Sequence, residues 1–427
     1  MPTFHIETYG CQMNVADSEL VAGLLAGEGY APADDAAGAD LVVVNTCSVR
    51  EHAEKRVLRR ITELANARRR QHSGQRLWVI GCMAQRLGER LRSDVPGVDR
   101  VIGAREIEFL HEHIRSYLEH AGPTRQRPAA GSPAVSAFVP VMRGCNNCCV
   151  YCVVPQVRGP EHSVPAADVL REVRQLVASG AREITLLGQN VNSYRDSATG
   201  QDFPSLLREL HQVDGLLRIR FTTSHPKDCS DELLRAVAEL PRLCKHVHLP
   251  VQSGSSTVLA AMNRGYTRGD YLGRIDAIRR LMPGADITTD AMTGFPGETD
   301  RDFRETVALF RDVRFTTAFM FAFSARPGTA AAGMEGGVPA VVAKERLAEL
   351  IALQTGITRE IYGSMVGRSA DVLFTERQRA RGRQWFGQDH GCKRVLLACE
   401  QDVAGAILRV NVRRSTGMTL VAEREEP

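Results

Sequence analysis

No run in this 427-residue sequence stays apolar long enough to cross a bilayer, and stretches such as LVVV (41–44) fall far short of the roughly 20 residues required. The first residues, MPTFHIETYGC, show no basic region followed by an apolar stretch, so no secretory leader is expected. A strong charge of one sign is also missing: the formal net charge is only +4. RRR (68–70) and RQRARGR (377–383) stand out locally, but as solvated faces before anything else. A disulfide framework is absent too, because eleven cysteines is an odd number and the densest group has adjacent members. With 43% hydrophobic residues the chain can bury large cores, and its length implies two or three domains. These features describe a soluble protein of a reducing compartment, the cytoplasm, whose thiols serve metals or redox chemistry.

Residues 1–120 alternate short apolar strands (TFHIETYG, LVVVN, RLWVIG) with helical stretches at 18–27 and 51–70, the pattern of a parallel α/β domain. AGPTRQRPAAGSPA (121–134) has the composition of a linker. A second series over 135–363 contains six strands, AFVPVM, EITLLG, RIRFTT, HVHLPV, DITTDAM and TTAFMFAF, with helices between them. Six such units predict a partial (βα)6 barrel. Most of its strands end in polar or glycine-rich residues, which places a catalytic face at their C-terminal ends. A long amphipathic helix is expected at 340–363, and short strands over 364–427 predict a small β-domain.

The loop GCNNCCVYC (144–152) follows the first barrel strand and holds four cysteines. Structural zinc sites usually draw their ligand pairs from separate parts of a chain, and no intervening segment exists here. Ferredoxin clusters need a distant fourth cysteine. Cys145, Cys149 and Cys152 form CxxxCxxC, in which three thiolates on a four-iron cluster leave one iron open for a ligand. Cys148 is then a spectator, and zinc stays as the alternative. Cys11, Cys47 and Cys82 lie 36 and 35 residues apart, each just after a strand and before a helix. Parallel strands share a C-terminal edge, so these thiols can converge beside helix N-termini that favour thiolates. They imply a second cluster with an open iron.

The CxxxCxxC spacing on a six-unit barrel resembles the radical S-adenosylmethionine (SAM) enzymes. TYGCQMNVADSE, NTCSVREHAEKRV, GCMAQR, GCNNCCVYCVVPQVRGPEHSVP, LLGQNVNSY, FTTSHPKD, HLPVQSGS, MNRGYTR and TGFPGETD resemble the methylthiotransferase family and its MiaB branch. That resemblance implies methylthiolation at C2 of N6-isopentenyladenosine, next to the anticodon at position 37 of tRNA. It implies two [4Fe–4S] clusters and two SAM molecules. The N-terminal cluster carries the sulfur, and the cluster on Cys145, Cys149 and Cys152 generates the radical. It further implies a TRAM-like C-terminal barrel that binds RNA, with RQRARGR on phosphates and Trp385 or Phe386 stacking on a base. The expected partners are the tRNA anticodon stem-loop, a low-potential electron donor of flavodoxin or ferredoxin type, and a sulfur donor. The protein is expected to be a monomer without membrane contact. Candidate SAM contacts are Gly188, Gln189 and Asn190 after the second barrel strand and Gln252 and Ser253 after the fourth. His246 and His248 read as interior residues. Two other readings stay open: a sister methylthiotransferase acting on threonylcarbamoyl-adenosine in tRNA or on a ribosomal-protein aspartate, and a non-enzymatic iron–sulfur protein that binds RNA.

Overall fold

The computed structural model describes residues 1–48, 51–71, 74–118, 134–378 and 383–425. The expected linker at 121–134 lies almost wholly outside the described residues. Two compact units are present, and each is described by itself. The first comprises Met1–Ser132, Arg143–Asn147 and Cys152–His162, the second Pro133–Met142, Cys148–Tyr151 and Ser163–Pro427, in so far as these are described.

In the first unit β1 (Thr3–Thr8), α1 (Gln12–Gly27), β2 (Ala31–Pro32), β3 (Leu41–Thr46), α2 (Glu51–Gln71), β4 (Arg76–Gly81), α3 (Cys82–Leu87), α4 (Arg90–Asp94), β5 (Arg100–Gly103) and α5 (Leu110–Tyr117) follow one another. The strands form a parallel sheet in the order β2-β1-β3-β4-β5. Its central strands are apolar on both sides. Val42, Val44, Leu77 and Val79 enter a core with Val57 and Ile61 of α2, while Leu41, Val43, Trp78 and Ile80 enter another with Val21 and Leu25 of α1. Helices covering both faces are what a parallel sheet requires.

The second unit opens with β6 (Ser136–Pro140). The chain then passes through β7 (Met142–Arg143), α6 (Val154–Arg158) and β8 (His162–Ser163) before α7 (Ala166–Ala178). Strands β9 (Glu183–Leu187), β10 (Arg218–Phe221), β11 (His246–His248), β12 (Asp286–Thr293) and β13 (Thr317–Ala322) follow. Between them lie α8 (Phe203–His211), α9 (Asp231–Glu239), α10 (Ser256–Ala261), α11 (Arg268–Leu281) and α12 (Asp300–Val313). β6, β9 and β10 pair in parallel, as do β11, β12 and β13. A parallel bridge from Ile219 to Leu243 joins the two sets. Six strands therefore run side by side in chain order, the expected partial (βα)6 barrel. Hydroxyl and carboxylate side chains cap the N-termini of the helices: Asp202, Ser230, Ser255, Thr267 and Thr299 each accept a bond from a first-turn amide.

α13 (Ala340–Gly363) leads into β14 (Ser369–Arg377), β15 (Gln384–Gln388), β16 (Arg394–Ala398), β17 (Ile407–Ser415) and β18 (Leu420–Arg424), which close into a barrel in the order β14-β15-β16-β18-β17. β15 was not expected from the sequence. It also corrects the stacking role for Trp385, which is 4% exposed in the barrel core with Phe374, Val395 and Leu397. Phe386 carries the Arg394 guanidinium 3.8 Å from its ring centre. Of RQRARGR, residues 379–382 lie outside the described residues, and exposed Arg383 pairs with Glu400 at 2.8 Å. No helix among the described residues is long and apolar enough to cross a membrane.

Candidate functional site

Cys11 is the N-cap of α1, Cys47 follows β3 directly, and Cys82 is the first residue of α3, directly after β4. Because β1, β3 and β4 are neighbours in one parallel sheet, the three cysteines close three adjacent strands on one edge. Cys11 is exposed, while Cys47 and Cys82 are buried.

Beneath them runs a polar network that their motifs supply. Buried Asn14 accepts from the Cys11 thiol (3.4 Å) and donates to Asn45 Oδ1 (2.9 Å) and the Thr46 carbonyl (3.1 Å). Asn45 donates back to the Asn14 carbonyl (2.8 Å) and to Ser18 (2.9 Å). Gly81 meets this network at φ +98°, where a Cβ would lie 2.5 Å from both Asn45 Oδ1 and the Thr46 carbonyl. Only glycine fits there. Burial pushes the Cys82 thiol up, while the charge of the Arg158 guanidinium pulls the other way. Among the described residues no group of three His, Cys, Asp or Glu side chains is placed to hold a metal ion. A four-iron cube spreads its sulfur ligands over separate irons, so the donor chemistry is the relevant test: three cysteine sulfurs, one at the end of each of three neighbouring strands.

In the second cysteine group, Cys145 is buried, its amide donates to the Gly159 carbonyl (3.2 Å), and its sulfur accepts from the Asn147 amide (3.4 Å). Gly144 makes that closure possible: at φ +74°, a Cβ would stand 1.9 Å from the Pro160 carbonyl oxygen. Cys149 and Cys152 are half-buried and Cys148 is exposed. Arg264, only 5% exposed, donates to Cys149 Sγ (3.3 Å), to the Tyr151 hydroxyl (3.3 Å) and to the Pro250 carbonyl (3.1 Å). Its Nε donates to Tyr266 (3.1 Å). Burial opposes its charge, but Tyr151, Tyr266 and Cys149 outweigh that and hold it protonated.

At the barrel-strand ends, Gly188 lies under Met142, whose Cγ would be 2.4 Å from a Cβ. Asn190 uses its amide internally, donating to Asp228 (2.7 Å) and accepting from the His225 amide (3.1 Å). Four neighbours have buried polar atoms without a hydrogen-bond partner: Gln189 Oε1, both amide atoms of Asn192, Ser224 Oγ and His225 Nε2. Burial, with Arg264 and Lys227, lowers His225 to about 3, so its ring is neutral. Each such orphan costs about 1–3 kcal/mol, and a polar ligand across the ends of β9 and β10 would relieve several together. The backbone is strained beside them. Thr223 and Gln252 occupy left-handed conformations at φ +71° and +69°, which are costly for non-glycine residues and concentrate at functional sites. Ser253 is fully buried, bonded to Thr306 (3.3 Å) and to the Ser255 amide (3.2 Å). His246 and His248 both meet Thr288 Oγ1, at 2.8 and 2.9 Å. The orphan-bearing residues suit SAM, whose amino-acid and ribose groups need such partners.

Sequence reasoning did not single out Asn14, Asp17, Asn45, Arg158, Asn192, Ser224, His225 or Arg264. All lie inside or beside the quoted motifs, but only the fold shows which motif residues turn inward.

Residues 3–103 match the family described as Uncharacterized protein family UPF0004, and residues 139–310 match the Radical SAM superfamily. A tRNA-2-methylthio-N(6)-dimethylallyladenosine synthase of Geotalea uraniireducens is 45% identical, covering 98% of each chain. The synthase of Geobacter sulfurreducens is 44% identical over 98% of this chain and 96% of its own, and that of Chlorobaculum tepidum 44% over 99% and 98%. Among solved structures, the radical SAM methyltransferase TsrM of Kitasatospora setae, with cobalamin and a [4Fe–4S] cluster bound, aligns at TM-score 0.55. It is 16% identical and covers 78% of this chain and 77% of its own, a likeness of fold.

Proposed function

The chain belongs to the tRNA-2-methylthio-N(6)-dimethylallyladenosine synthase family of radical SAM enzymes, and from that premise we propose how its residues share the work. It is a methylthiotransferase that modifies C2 of N6-isopentenyladenosine in tRNA, using two [4Fe–4S] clusters and SAM. Cys11, Cys47 and Cys82 hold the sulfur-carrying cluster, and Cys145, Cys149 and Cys152 hold the one that works with SAM. When bound, that second cluster and SAM supply a carbon radical strong enough for an aromatic C–H bond that no side-chain base could deprotonate.

The chain's own residues bind, orient and balance charge. Gln189, Asn192, Ser224 and His225 offer buried polar atoms to SAM, alongside Gly188, whose missing side chain leaves room for Met142 at the strand end. Gln252 and Ser253 shape the end of β11, the latter from a fully buried position. Arg264 sets a permanent positive charge against Cys149. Residues 1–120 carry the sulfur, 135–363 the radical step, and the barrel at 364–427 contacts the anticodon stem-loop. Electrons come from a flavodoxin- or ferredoxin-type donor and sulfur from a separate donor. The protein works as a monomer, and its tRNA substrate puts that work in the cytoplasm. The observation that carries this reading is the alignment of three cysteines on three adjacent strand ends over one buried amide network, in a chain that also holds CxxxCxxC.

The test is a split of activities in anaerobically purified protein. The parent should contain about eight irons per chain, from two four-iron clusters. Cys47→Ala should lose methylthio transfer but still cleave SAM, and Cys149→Ala should lose both. Nucleoside mass spectrometry of tRNA from a complemented deletion strain reads the transfer. Normal methylthiolation by Cys47→Ala would overturn the sulfur-carrier assignment.

A further inference from the structure

Asp17, on α1, is fully buried, and each of its carboxylate oxygens takes a different guanidinium: Oδ1 accepts from Arg143 at 2.7 Å and Oδ2 from Arg158 at 2.9 Å. The two arginine side chains are 9% and 5% exposed. Two guanidiniums on one carboxylate leave a surplus positive charge inside the protein, an expensive arrangement unless an anion meets it. Arg158 also lies within electrostatic reach of Cys82 and Cys11. Val153 and Val157, on the same segment as Arg158, pack directly against Cys82. The nearby Arg86, which donates to Ser48 beside Cys47, is already neutralised by Glu54 at 2.6 Å.

We propose that the Asp17–Arg143–Arg158 triad is the built-in counter-charge of the N-terminal cluster, and that Arg158 is a positioning residue that sets the cluster's reduction potential through Cys82. The inference rests on the reading that Cys11, Cys47 and Cys82 hold that cluster. Three thiolates around a four-iron core make an anionic group, and each added electron makes it more so. A fixed, buried cation beside one sulfur favours the reduced form. Net charge and hydrogen bonds to sulfur are among the levers that set such potentials. The tuning cation comes from VVPQVRG, immediately after Cys152, and Arg143 immediately precedes Gly144 and Cys145. The chain thus brackets one cluster's loop with the two arginines that balance the other cluster.

The experiment uses the full chain with Cys145, Cys149 and Cys152 replaced by alanine, so that only the N-terminal cluster assembles. Iron and sulfide are measured, and the cluster is titrated reductively under EPR. Arg158→Gln should shift the oxidised-to-reduced ratio at fixed potential at least about ten-fold toward oxidised, a fall of about 59 mV for a one-electron couple. Arg158→Lys should stay near the parent, and Asp17→Asn should shift the ratio the opposite way. The double change Asp17→Asn with Arg158→Gln should return toward the parent. If Arg158→Gln alone fails to hold iron, the direction for Asp17→Asn and the return in the double change decide the matter. Full iron with an unmoved potential in these variants overturns the triad's role. Absence of any cluster in the triple-alanine parent overturns the cluster assignment itself, and this inference with it.

Discussion

Asp286→Asn should loosen the seat of the C-terminal β-barrel on the (βα)6 barrel. Asp286 starts β12 and is 4% exposed. Lys393, from the turn before β16, donates to both of its oxygens at 2.6 and 2.7 Å. The Cys392 amide and Thr316 hydroxyl add bonds at 2.8 and 2.9 Å. An asparagine keeps one acceptor but turns a donor toward Lys393 or the Cys392 amide, and it leaves a buried ammonium without its main partner. Breaking a buried pair from one side costs about 3–5 kcal/mol. Asp389, 3.6 Å from Lys393, still offers some compensation, so the low end, about 3 kcal/mol, is expected. Urea unfolding of the intact chain, with limited proteolysis to detect release of the β-barrel, reads the loss. Asp286→Asn with Lys393→Met removes both charges and should recover most of it. pH gives a second signature. Burial would raise the Asp286 carboxyl, but Lys393, the Cys392 amide and Thr316 outweigh it and hold it below 3.8. A depressed carboxylate contributes stability above its unfolded value, and that contribution fades as pH falls through the folded one. Lys393 is raised above 10.5, burial being outweighed by Asp286 and Asp389, so its contribution is whole below that value and fades as pH rises through the folded one. The difference between parent and Asp286→Asn should therefore be flat across neutral pH and shrink below about pH 4. A loss under about 1 kcal/mol at neutral pH, in the range of an exposed ion pair, would refute the reasoning.

Gly144→Ala forces a Cβ to 1.9 Å from the Pro160 carbonyl at a positive φ, so the Cys145 loop must move. The expected result is loss of roughly half the iron and all SAM cleavage with the N-terminal cluster intact; full iron content would contradict it. Arg264→Gln removes the charge beside Cys149 while keeping some hydrogen-bonding capacity. SAM cleavage should fall at least about ten-fold, as for loss of one charge-assisted bond of about 1.5–3 kcal/mol. Arg264→Lys should retain more activity, and equal rates for the two would show that charge at this position is immaterial.

Most of the architecture was legible because its signals are local. The six barrel strands, the helix over 340–363 and the strand-end cysteines follow from apolar runs, helical periodicity and spacing. The start of α1 was not. The sequence pointed to Ser18, yet the helix begins at Gln12, because Asn14, Asp17 and Ser18 are buried polar residues that break the apolar stripe of its first turns. Their burial is paid for by partners 27 to 141 positions away, which no local pattern can reveal. β15 escaped for another reason. QWFGQ is short, and its tryptophan is as consistent with a base-stacking surface as with a core until the barrel closes around it. The SAM-facing candidates divide similarly: Gly188 and Gln189 mark a strand end in the sequence, but the orphaned atoms of Asn192, Ser224 and His225 appear only once β9 and β10 lie side by side.

Buried charge separates structural seats from sites built for a ligand. Where the small β-barrel meets the larger one, Arg218, Arg220 and Lys393 stand among Glu183, Asp286 and Asp389, three cations and three carboxylates, all buried. Such a group is neutral within itself and needs nothing further. The buried arginines next to the cysteines are different. Asp17 answers only one of Arg143 and Arg158, and Arg264 is surrounded by a thiol, two phenols and a carbonyl. Folding alone gives no return for unbalanced cations of this kind. They make sense if the neighbouring sulfurs carry negative charge in the working protein, as cluster-ligating thiolates do. The two excesses fall beside different cysteine groups, one at Cys82 and one at Cys149.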